Sequence, residues 1–282
     1  MTLAVSFEVF PPKTAAGLGK LSDAVARLDD ANPAYISVTY GAGGSDRQRS
    51  FDTIDAVRSA TSTPIAAHLT CVGQSRADVD EVIDRYLALG VDHIVALRGD
   101  PPTGIDAPYE PHPEGFTSTA DLVAAIKRRG DISVSVSAYP ERHPQSPTDE
   151  HDLDVLAAKV AAGADRAMTQ MFFDNRHFVA YLDRLRARGV DVPVVPGIFP
   201  IHSFPAVTRF ADRCGASMPT SIAERFAGLD DDPVATHALA AELAADQIRD
   251  LTRHGVEHVH LYTLNRSELA LAVCERLTEV SA

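Results

Sequence analysis

One local pattern recurs along the chain and restricts its fold more than any other feature. A glycine, a small apolar residue, an acid and an apolar run follow one another in LGVDHIVAL (89–97), AGADRAMTQ (162–170), RGVDVPVVP (188–196) and HGVEHVHLY (254–262). The glycine suits the position after a helix, where φ is often positive, and the run is typical of a buried strand. This order predicts alternating helices and parallel strands.

Eight strands are predicted when the whole chain is read in this way. They span residues 4–10, 35–40, 65–71, 93–97, 133–139, 167–173, 194–199 and 258–264. Eight strands alternating with helices over 282 residues predict a (β/α)₈ TIM-type barrel, expected to form a single domain over residues 1–282. An open doubly wound sheet is the alternative, although no GxGxxG sequence follows a predicted strand.

Two segments interrupt the regular alternation. Residues 99–119 are rich in proline and glycine and predict a long loop after the fourth strand. Residues 211–255 predict an extra-long, mostly helical crossover between the seventh and eighth strands.

Charge and cysteine content exclude several classes of protein. The 26 basic and 39 acidic side chains give a net charge of −13, which disfavours a nucleic-acid partner. Cys71, Cys214 and Cys274 lack CxxC spacing, so we expect small buried side chains in place of disulfides or zinc ligands. Without a signal peptide or an apolar run of about 20 residues, the chain is expected to be cytoplasmic and to have no membrane partner.

Polar side chains gather at the carboxyl ends of the predicted strands, where barrels of this type place their active sites. A glycine-rich turn after Tyr40 (Gly41, Gly43 and Gly44) would let a bulky ligand approach the backbone. The strand-end candidates are Glu8, Thr39, Tyr40, His68, Thr70, Arg98, Asp100, Tyr139, Glu141, His143, Gln170, Asp174, Asn265 and Arg266.

Glu8 is the most informative of these residues. A carboxyl group in an apolar barrel mouth has a raised pKa, which suits a general acid at neutral pH. A solvated glutamate at the outer end of the strand is the alternative, and Arg98 and Asp100 could likewise form a pair at their own strand end. His258 and His260 share a strand face, where a structural role is favoured over metal binding.

An acidic run and the absence of a serine-nucleophile motif were also considered. The acidic run 230–232 precedes Pro233, which is explained in part by an N-cap aspartate before a proline at the first helical position. No GxSxG sequence occurs, which disfavours acyl transfer through a serine nucleophile.

Nine strand-end motifs together resemble the methylenetetrahydrofolate reductase family. They run in the family's order from residue 6 to about 268: SFEVFPPK, SVTYGAGGSDR, HLTCVG, HIVALRGDPP, AYPERHP, TQMFFD, PGIFPI, GLDDD and YTLNRSE. The resemblance implies a (β/α)₈ barrel that reduces 5,10-methylenetetrahydrofolate to 5-methyltetrahydrofolate. It implies NADH or NADPH as reductant, normally through bound FAD in a ping-pong cycle.

The resemblance also assigns roles to individual residues. Glu8 matches the general acid that protonates N10 of the folate, and Asp100 matches an acid that tunes the flavin and favours the cationic iminium. Gln170, Phe204 and Arg266 match substrate contacts. The residues that match flavin contacts are Thr39, His68, Arg98, Gly99, Asp100, Tyr139, His143, Asp152 and Lys159.

Three positions depart from the family at the flavin site. Val155 stands where the family has an amide side chain, Ala158 where it has a basic one, and Ser118 aligns with a tyrosine near the flavin. Loss of hydrogen bonds to an anionic pyrophosphate predicts that FAD is bound weakly or not at all.

The expected partners are small-molecule folate and nicotinamide substrates, and self-association is left open. A folate- or flavin-binding barrel without turnover is the alternative function. A lyase that forms a Schiff base is disfavoured, because no predicted strand end carries a lysine and Lys13 lies in a proline-rich turn.

Overall fold

Parallel strands and helices alternate through the computed structural model, which describes residues 3–41, 44–101 and 109–279. The strands are β1 (Ala4–Val9), β2 (Ile36–Val38), β3 (Ile65–Thr70), β4 (His93–Leu97), β5 (Ser133–Ala138), β6 (Arg166–Thr169), β7 (Val194–Val195), β8 (Gly197–Ile198) and β9 (His258–Tyr262). The helices are α1 (Ala15–Asp29), α2 (Gly44–Ala60), α3 (Arg76–Ala88), α4 (Thr119–Lys127), α5 (Asp149–Ala161), α6 (Asn175–Ala187), α7 (Phe204–Cys214), α8 (Thr220–Phe226), α9 (Pro233–Arg253) and α10 (Ser267–Glu279).

The strands form one parallel sheet in the order β7-β6-β5-β4-β3-β2-β1-β9-β8. β7 pairs with β6, whereas β8 pairs with β9. These two short strands are consecutive pieces of the predicted seventh strand, separated at Pro196, so one segment joins both ends of the sheet. The predicted TIM-type barrel is therefore confirmed, and the open doubly wound sheet was the wrong alternative.

Proline explains why the seventh strand is divided. Pro196 has no N–H to donate to a neighbouring strand, but its carbonyl accepts a hydrogen bond from the His260 backbone N–H at 2.9 Å. Gly197 follows, and a Cβ there would lie 2.6 Å from Tyr262 Cε2 and would also clash with the Thr169 carbonyl oxygen. The barrel closes at a point where only glycine fits.

The repeated glycines lie where the sequence pattern predicts them, between a helix and the next strand. Gly90 and Gly255 follow α3 and α9 with φ of +72° and +83°, a left-handed conformation that glycine adopts without a steric penalty. Their backbone N–H groups bond to carbonyls of the last helical turn at 2.9 and 3.1 Å. Each joint therefore ends a helix and directs the chain into a buried strand.

The large apolar core lies between the barrel wall and the surrounding helices. Inside the barrel, the buried side chains are mainly polar, with a small apolar cluster of Tyr35, Ala66, Val95 and Met168. The buried polar side chains of the inward strand positions include Ser6, Ser37, His68, His93, Ser135 and His260. The interior of the barrel thus differs in chemistry from the layer around it.

The segments that interrupt the alternation are only partly described. The crossover between the seventh and eighth predicted strands contains α8 and α9 and the end of α7, as expected. Asp232 caps α9 by accepting hydrogen bonds from Val234 and Ala235 N–H groups at 3.1 and 2.9 Å, so part of the acidic run is a helix cap. Residues 102–108 of the predicted loop and Gly43 of the glycine-rich turn lie outside the described residues.

The prediction that the cysteine side chains are buried is confirmed fully for one of the three residues. Cys71 is fully buried, whereas Cys214 and Cys274 are half-buried. Across the described ranges, no helix combines the length and the apolar character needed to cross a membrane.

Candidate active site

A cavity of about 700 Å³ opens at the carboxyl ends of the barrel strands. It collects side chains that the sequence placed at separate strand ends and on α5. Those that line it are Glu8, Thr39, Tyr40, His68, Thr70, Arg98, Gly99, Asp100, Tyr139, His143, Asp152, Lys159 and Gln170. One cavity therefore brings together most of the candidate residues.

Several other candidates lie away from the cavity wall. Phe204 stacks on Phe226 with ring centroids 5.4 Å apart, and Arg266 is exposed beyond the end of β9. Ser118 is the N-cap of α4 and accepts a hydrogen bond from the Asp121 N–H at 3.1 Å. None of these three residues is among those that line the cavity.

Three strand-end residues tie loops together. Asn265 both accepts from the Phe10 N–H and donates to the Phe10 carbonyl, each at 2.9 Å. Glu141 accepts a hydrogen bond from the Ser217 N–H at 2.9 Å, and Asp174 caps α6. Their contacts hold the loops that surround the cavity.

Glu8 lies at the inner end of the cavity, and its side chain is only 20% exposed. Its Oε2 atom is 3.4 Å from His68 Nε2 and 3.8 Å from His260 Nε2. Burial raises the pKa of Glu8, while the charge that His68 could carry opposes this effect. Burial also lowers the pKa of His68, so the pair is best described as a readily protonated carboxyl beside a neutral imidazole.

A group of histidines and serines fills the barrel below Glu8. His260 Nδ1 lies 2.7 Å from Ser6 Oγ, and His93 Nε2 lies 2.8 Å from Ser135 Oγ. Burial lowers the pKa of both His260 and His93 to about 3. Sequence reasoning did not find the contacts made by His93 and Ser135, although alternation in SVSVS (133–137) marks them as one strand face.

The polar side of the cavity is formed by α5 and the loop before it. Asp152 accepts hydrogen bonds from the His143 N–H at 2.9 Å and from the Ser146 hydroxyl. Lys159 Nζ donates to the Ser137 carbonyl and hydroxyl oxygens at 3.0 and 3.1 Å. Burial lowers the pKa of Lys159 to about 8. Val155 lies between these two residues on the same helix face.

Arg98 and Asp100 do not form the strand-end pair considered as an alternative. The Arg98 guanidinium bonds to Gln145 Oε1 and lies over the Tyr109 ring, 5.0 Å from its centroid. Asp100 is exposed at the rim. Gly99 between them has φ of +82°, and a Cβ there would lie 2.9 Å from Thr70 Cβ.

The opposite side of the cavity is largely apolar. Phe199 packs against Phe210 and Tyr262, with ring centroids 5.7 and 6.0 Å apart. Met168 and Leu264 also line the cavity. Such a wall suits the face of a planar ring system. Phe210 and the neighbouring Arg213 were missed from the sequence, because they lie on a helix that carries no strand-end motif.

The chain is similar to known proteins in both sequence and fold. The family model described as methylenetetrahydrofolate reductase matches residues 1–278. A fold comparison finds an uncharacterized protein from Clostridium thermocellum that binds two copies of 5-methyl-5,6,7,8-tetrahydrofolic acid. Its TM-score is 0.65 at 12% identity, covering 99% of this chain and 96% of that one. At this identity the likeness concerns the fold.

Curated relatives are similar over nearly the whole chain. The 5,10-methylenetetrahydrofolate reductases of Pectobacterium carotovorum subsp. carotovorum and of Escherichia coli (strain K12) are each 40% identical over 273 residues. The alignments cover 97% of this chain and 89% and 90% of those proteins. Arabidopsis thaliana methylenetetrahydrofolate reductase (NADH) 1 is 32% identical, over 97% of this chain and 48% of that protein. The chain therefore belongs to the methylenetetrahydrofolate reductase family and is an enzyme of folate one-carbon reduction.

Proposed function

We propose that this chain reduces 5,10-methylenetetrahydrofolate to 5-methyltetrahydrofolate with NADH or NADPH, and that hydride passes directly from the nicotinamide to the folate. The observation that carries the proposal is Glu8, a largely buried carboxyl with a raised pKa at the inner end of the cavity. A barrel that only bound folate would have no need for a proton donor at that position.

The chemistry begins with proton transfer from Glu8. Its carboxyl group protonates N10 of the folate, and the bond between N10 and the bridging carbon breaks. The electron pair of N5 then forms a cationic iminium with that carbon, and the resulting Glu8 carboxylate stabilises the nearby positive charge. A hydride from the nicotinamide adds to the iminium carbon, which becomes the methyl group on N5.

Other residues of the cavity are assigned to binding. Gln170 hydrogen-bonds the pterin, and the surface formed by Phe199, Phe210 and Tyr262 packs on the planar rings. Asp100, at the rim, favours the cation through its negative charge. Phe204 and Arg266 lie outside the cavity wall, so we assign them to the part of the folate that extends beyond the mouth.

The residues of the cavity do not fit a tightly held FAD. Among the described residues that line it, the cationic side chains are Arg98, Lys159 and Arg213. Arg98 is engaged with Gln145 and Tyr109, and Lys159 with Ser137. The face of α5 that would meet a pyrophosphate presents apolar Val155. We therefore derive no step through a flavin.

Lys159 also bears on the lyase alternative. It lines the cavity from a helix, with a pKa of about 8. Its ammonium group donates hydrogen bonds to two oxygens of Ser137. The nitrogen that would form a Schiff base is therefore already engaged in these hydrogen bonds. Borohydride treatment with a carbonyl substrate is expected to leave the protein unmodified.

The proposal is tested by incubating the purified protein with NADH or NADPH and methylenetetrahydrofolate, with FAD added and omitted. We expect formation of 5-methyltetrahydrofolate, identified chromatographically, under both conditions. No product under either condition would refute the proposed reaction. Product formed only with added FAD would retain the reaction and refute direct transfer.

A further inference from the structure

Two polar side chains of β3 line the cavity and each has an atom without a hydrogen-bond partner. The atoms are His68 Nε2 and Thr70 Oγ1, and neither is hydrogen-bonded to any part of the chain that the structure describes. The two residues are 6% and 8% exposed. An unpaired buried polar atom costs free energy, and nearly all such atoms in folded proteins are paired. The two atoms therefore point to a ligand that supplies the missing partners.

The strand places both side chains on one face, next to an apolar surface. His68 and Thr70 are two residues apart in β3, and side chains at this spacing point to the same side of a strand. In the neighbouring strand β4, Val95 is paired with His68 and Leu97 with Thr70. Val95 and Leu97 also line the cavity. This part of the wall thus combines two polar atoms with two apolar side chains.

The two unpaired atoms can act as one acceptor and one donor. Burial lowers the pKa of His68, so its ring is neutral at neutral pH, and with the proton on Nδ1 the Nε2 atom accepts a hydrogen bond. The Thr70 hydroxyl can donate one. Glu8 Oε2 lies 3.4 Å from His68 Nε2 without forming a hydrogen bond to it. A primary amide is complementary to this pair, because it presents an N–H donor and an oxygen acceptor side by side.

We propose that His68 and Thr70 bind the carboxamide of the nicotinamide ring. His68 Nε2 accepts a hydrogen bond from the amide N–H, and the Thr70 hydroxyl donates to the amide oxygen. Val95 and Leu97 contact the apolar edge of the ring. This inference rests on the proposed function, in which nicotinamide and folate are bound together. Because the carboxamide is attached to C3, next to the carbon that carries the hydride, fixing the amide also orients that carbon.

The position of β3 leaves room for the folate on the other side of the cavity. Gln170, which we assign to the pterin, follows β6, and two strands separate β6 from β3 in the sheet. Glu8 on β1 lies close to His68, so a nicotinamide held at β3 is next to the acid that opens the folate ring. When the carboxamide occupies His68 Nε2, the Glu8 proton stays available for N10.

Binding of oxidised dinucleotides tests the contact with His68 without any turnover. In 3-acetylpyridine adenine dinucleotide a methyl group replaces the amide nitrogen, so the carbonyl remains but the N–H is lost. Isothermal titration should show that the wild type binds NAD⁺, or NADP⁺ in the matching pair, at least about tenfold more tightly than the analogue. His68→Phe is expected to bind the two equally. A general weakening caused by the substitution cancels, because each ratio is taken within one protein.

Steady-state kinetics test the contact with Thr70. Thr70→Val keeps the shape of the side chain but removes the hydroxyl, so KM for the nicotinamide dinucleotide should rise by at least about tenfold. KM for methylenetetrahydrofolate should stay unchanged, and Thr70→Ser should restore the wild-type value for the dinucleotide. Thr208→Val is the matched control, since Thr208 on α7 also has a buried hydroxyl unpaired among the described residues but does not line the cavity. Both KM values should be unchanged in this control.

Three results would overturn the proposal. The first is a wild-type protein that does not discriminate between either dinucleotide and its analogue, and the second is discrimination that survives His68→Phe. The third is an equal rise of both KM values in Thr70→Val, which would indicate a merely structural role. Failure of the proposed function is recognised separately, because it appears as absence of product from the wild type. The titrations decide the carboxamide contact in that case too.

Discussion

In the proposed reaction, the carboxyl group of Glu8 donates a proton, which an amide cannot do. Glu8→Gln preserves the size of the side chain but cannot donate a proton to N10. We expect kcat to fall by at least about 100-fold, the usual scale of general acid catalysis, while circular dichroism stays unchanged. Glu224→Gln, an exposed position on α8, is the control and should retain activity. Near-normal turnover of Glu8→Gln would show that another group is the acid.

The same substitution also predicts a pH-dependent change in stability. The pKa of Glu8 is raised by burial from 4.5, so the native state binds this proton more tightly than the unfolded state does. The stabilising effect is complete below pH 4.5 and is lost as the pH rises through the folded-state pKa. Because glutamine stays neutral, Glu8→Gln should become more stable relative to wild type as pH rises.

Urea denaturation at a series of pH values between 4 and 8 measures this difference. A gap between variant and wild type that widens toward pH 8 is expected. A gap that does not change with pH would mean that the Glu8 carboxyl has an ordinary pKa in the folded protein. The exposed Glu224→Gln variant should show no such trend.

At the scale of elements, we expect α5 to determine how well the cavity receives an anionic pyrophosphate. Its cavity face carries Asp152, Val155 and Lys159. For the wild type we expect an FAD dissociation constant above about a micromolar, and for Val155→Asn/Ala158→Arg a value at least about tenfold lower. Each new hydrogen bond to a charged group contributes about 1.5–3 kcal/mol. Isothermal titration measures both constants.

Ala161→Arg is the control for the effect of added positive charge on FAD affinity. It introduces the same guanidinium group at an exposed position near the end of α5. That variant should bind FAD as weakly as the wild type does. Tight binding by the wild-type protein would contradict the role assigned to the cavity face of α5. Equal tightening in the control would show that net charge, and not the face of the helix, governs affinity.

The strand segment that closes the barrel is predicted to be sensitive to a single methyl group. Gly197→Ala places Cβ 2.6 Å from the Tyr262 ring and against the Thr169 carbonyl. Overpacking of this kind costs about 1–3 kcal/mol, so chemical denaturation should show a loss of that size. Gly19→Ala in α1 is the matched control, because nothing lies within 4 Å of its Cβ. It should be neutral or stabilising by up to about 1 kcal/mol.

At the scale of the whole molecule, the sequence predicted the barrel because its determinants are local. Glycine joints such as Gly90 and Gly255 and the apolar runs after them can be read in windows of ten residues. The rule that parallel strands present their carboxyl ends at one edge then gathers distant residues such as Glu8 and Gln170 into one site. No knowledge of pairing partners was needed for either step.

The contacts that were missed depend on tertiary packing between distant parts of the chain. Ser6 and His260 are 254 residues apart, and alternation shows only that each faces the barrel interior. Phe210 and Arg213 reach the cavity because of how α7 packs on the barrel, and Phe204 turns away toward Phe226 for the same reason. Helical periodicity identifies faces of a helix but does not fix its rotation against the rest of the fold.

A final prediction concerns the order in which the two substrates bind and react in the shared cavity. If nicotinamide and folate react directly, both must be bound at once, so initial rates measured against both substrates should give intersecting double-reciprocal lines. Parallel lines would indicate that NAD⁺ leaves before folate binds, which requires a carrier of the hydride.

A deuterium label on C4 of the nicotinamide gives an independent test. Deuterium that is transferred directly to the folate cannot exchange with water. We expect mass spectrometry to find the deuterium in the methyl group of the product without dilution. Loss of label to solvent, together with NADH oxidation in the absence of folate, would contradict direct transfer even if the overall reaction proceeds.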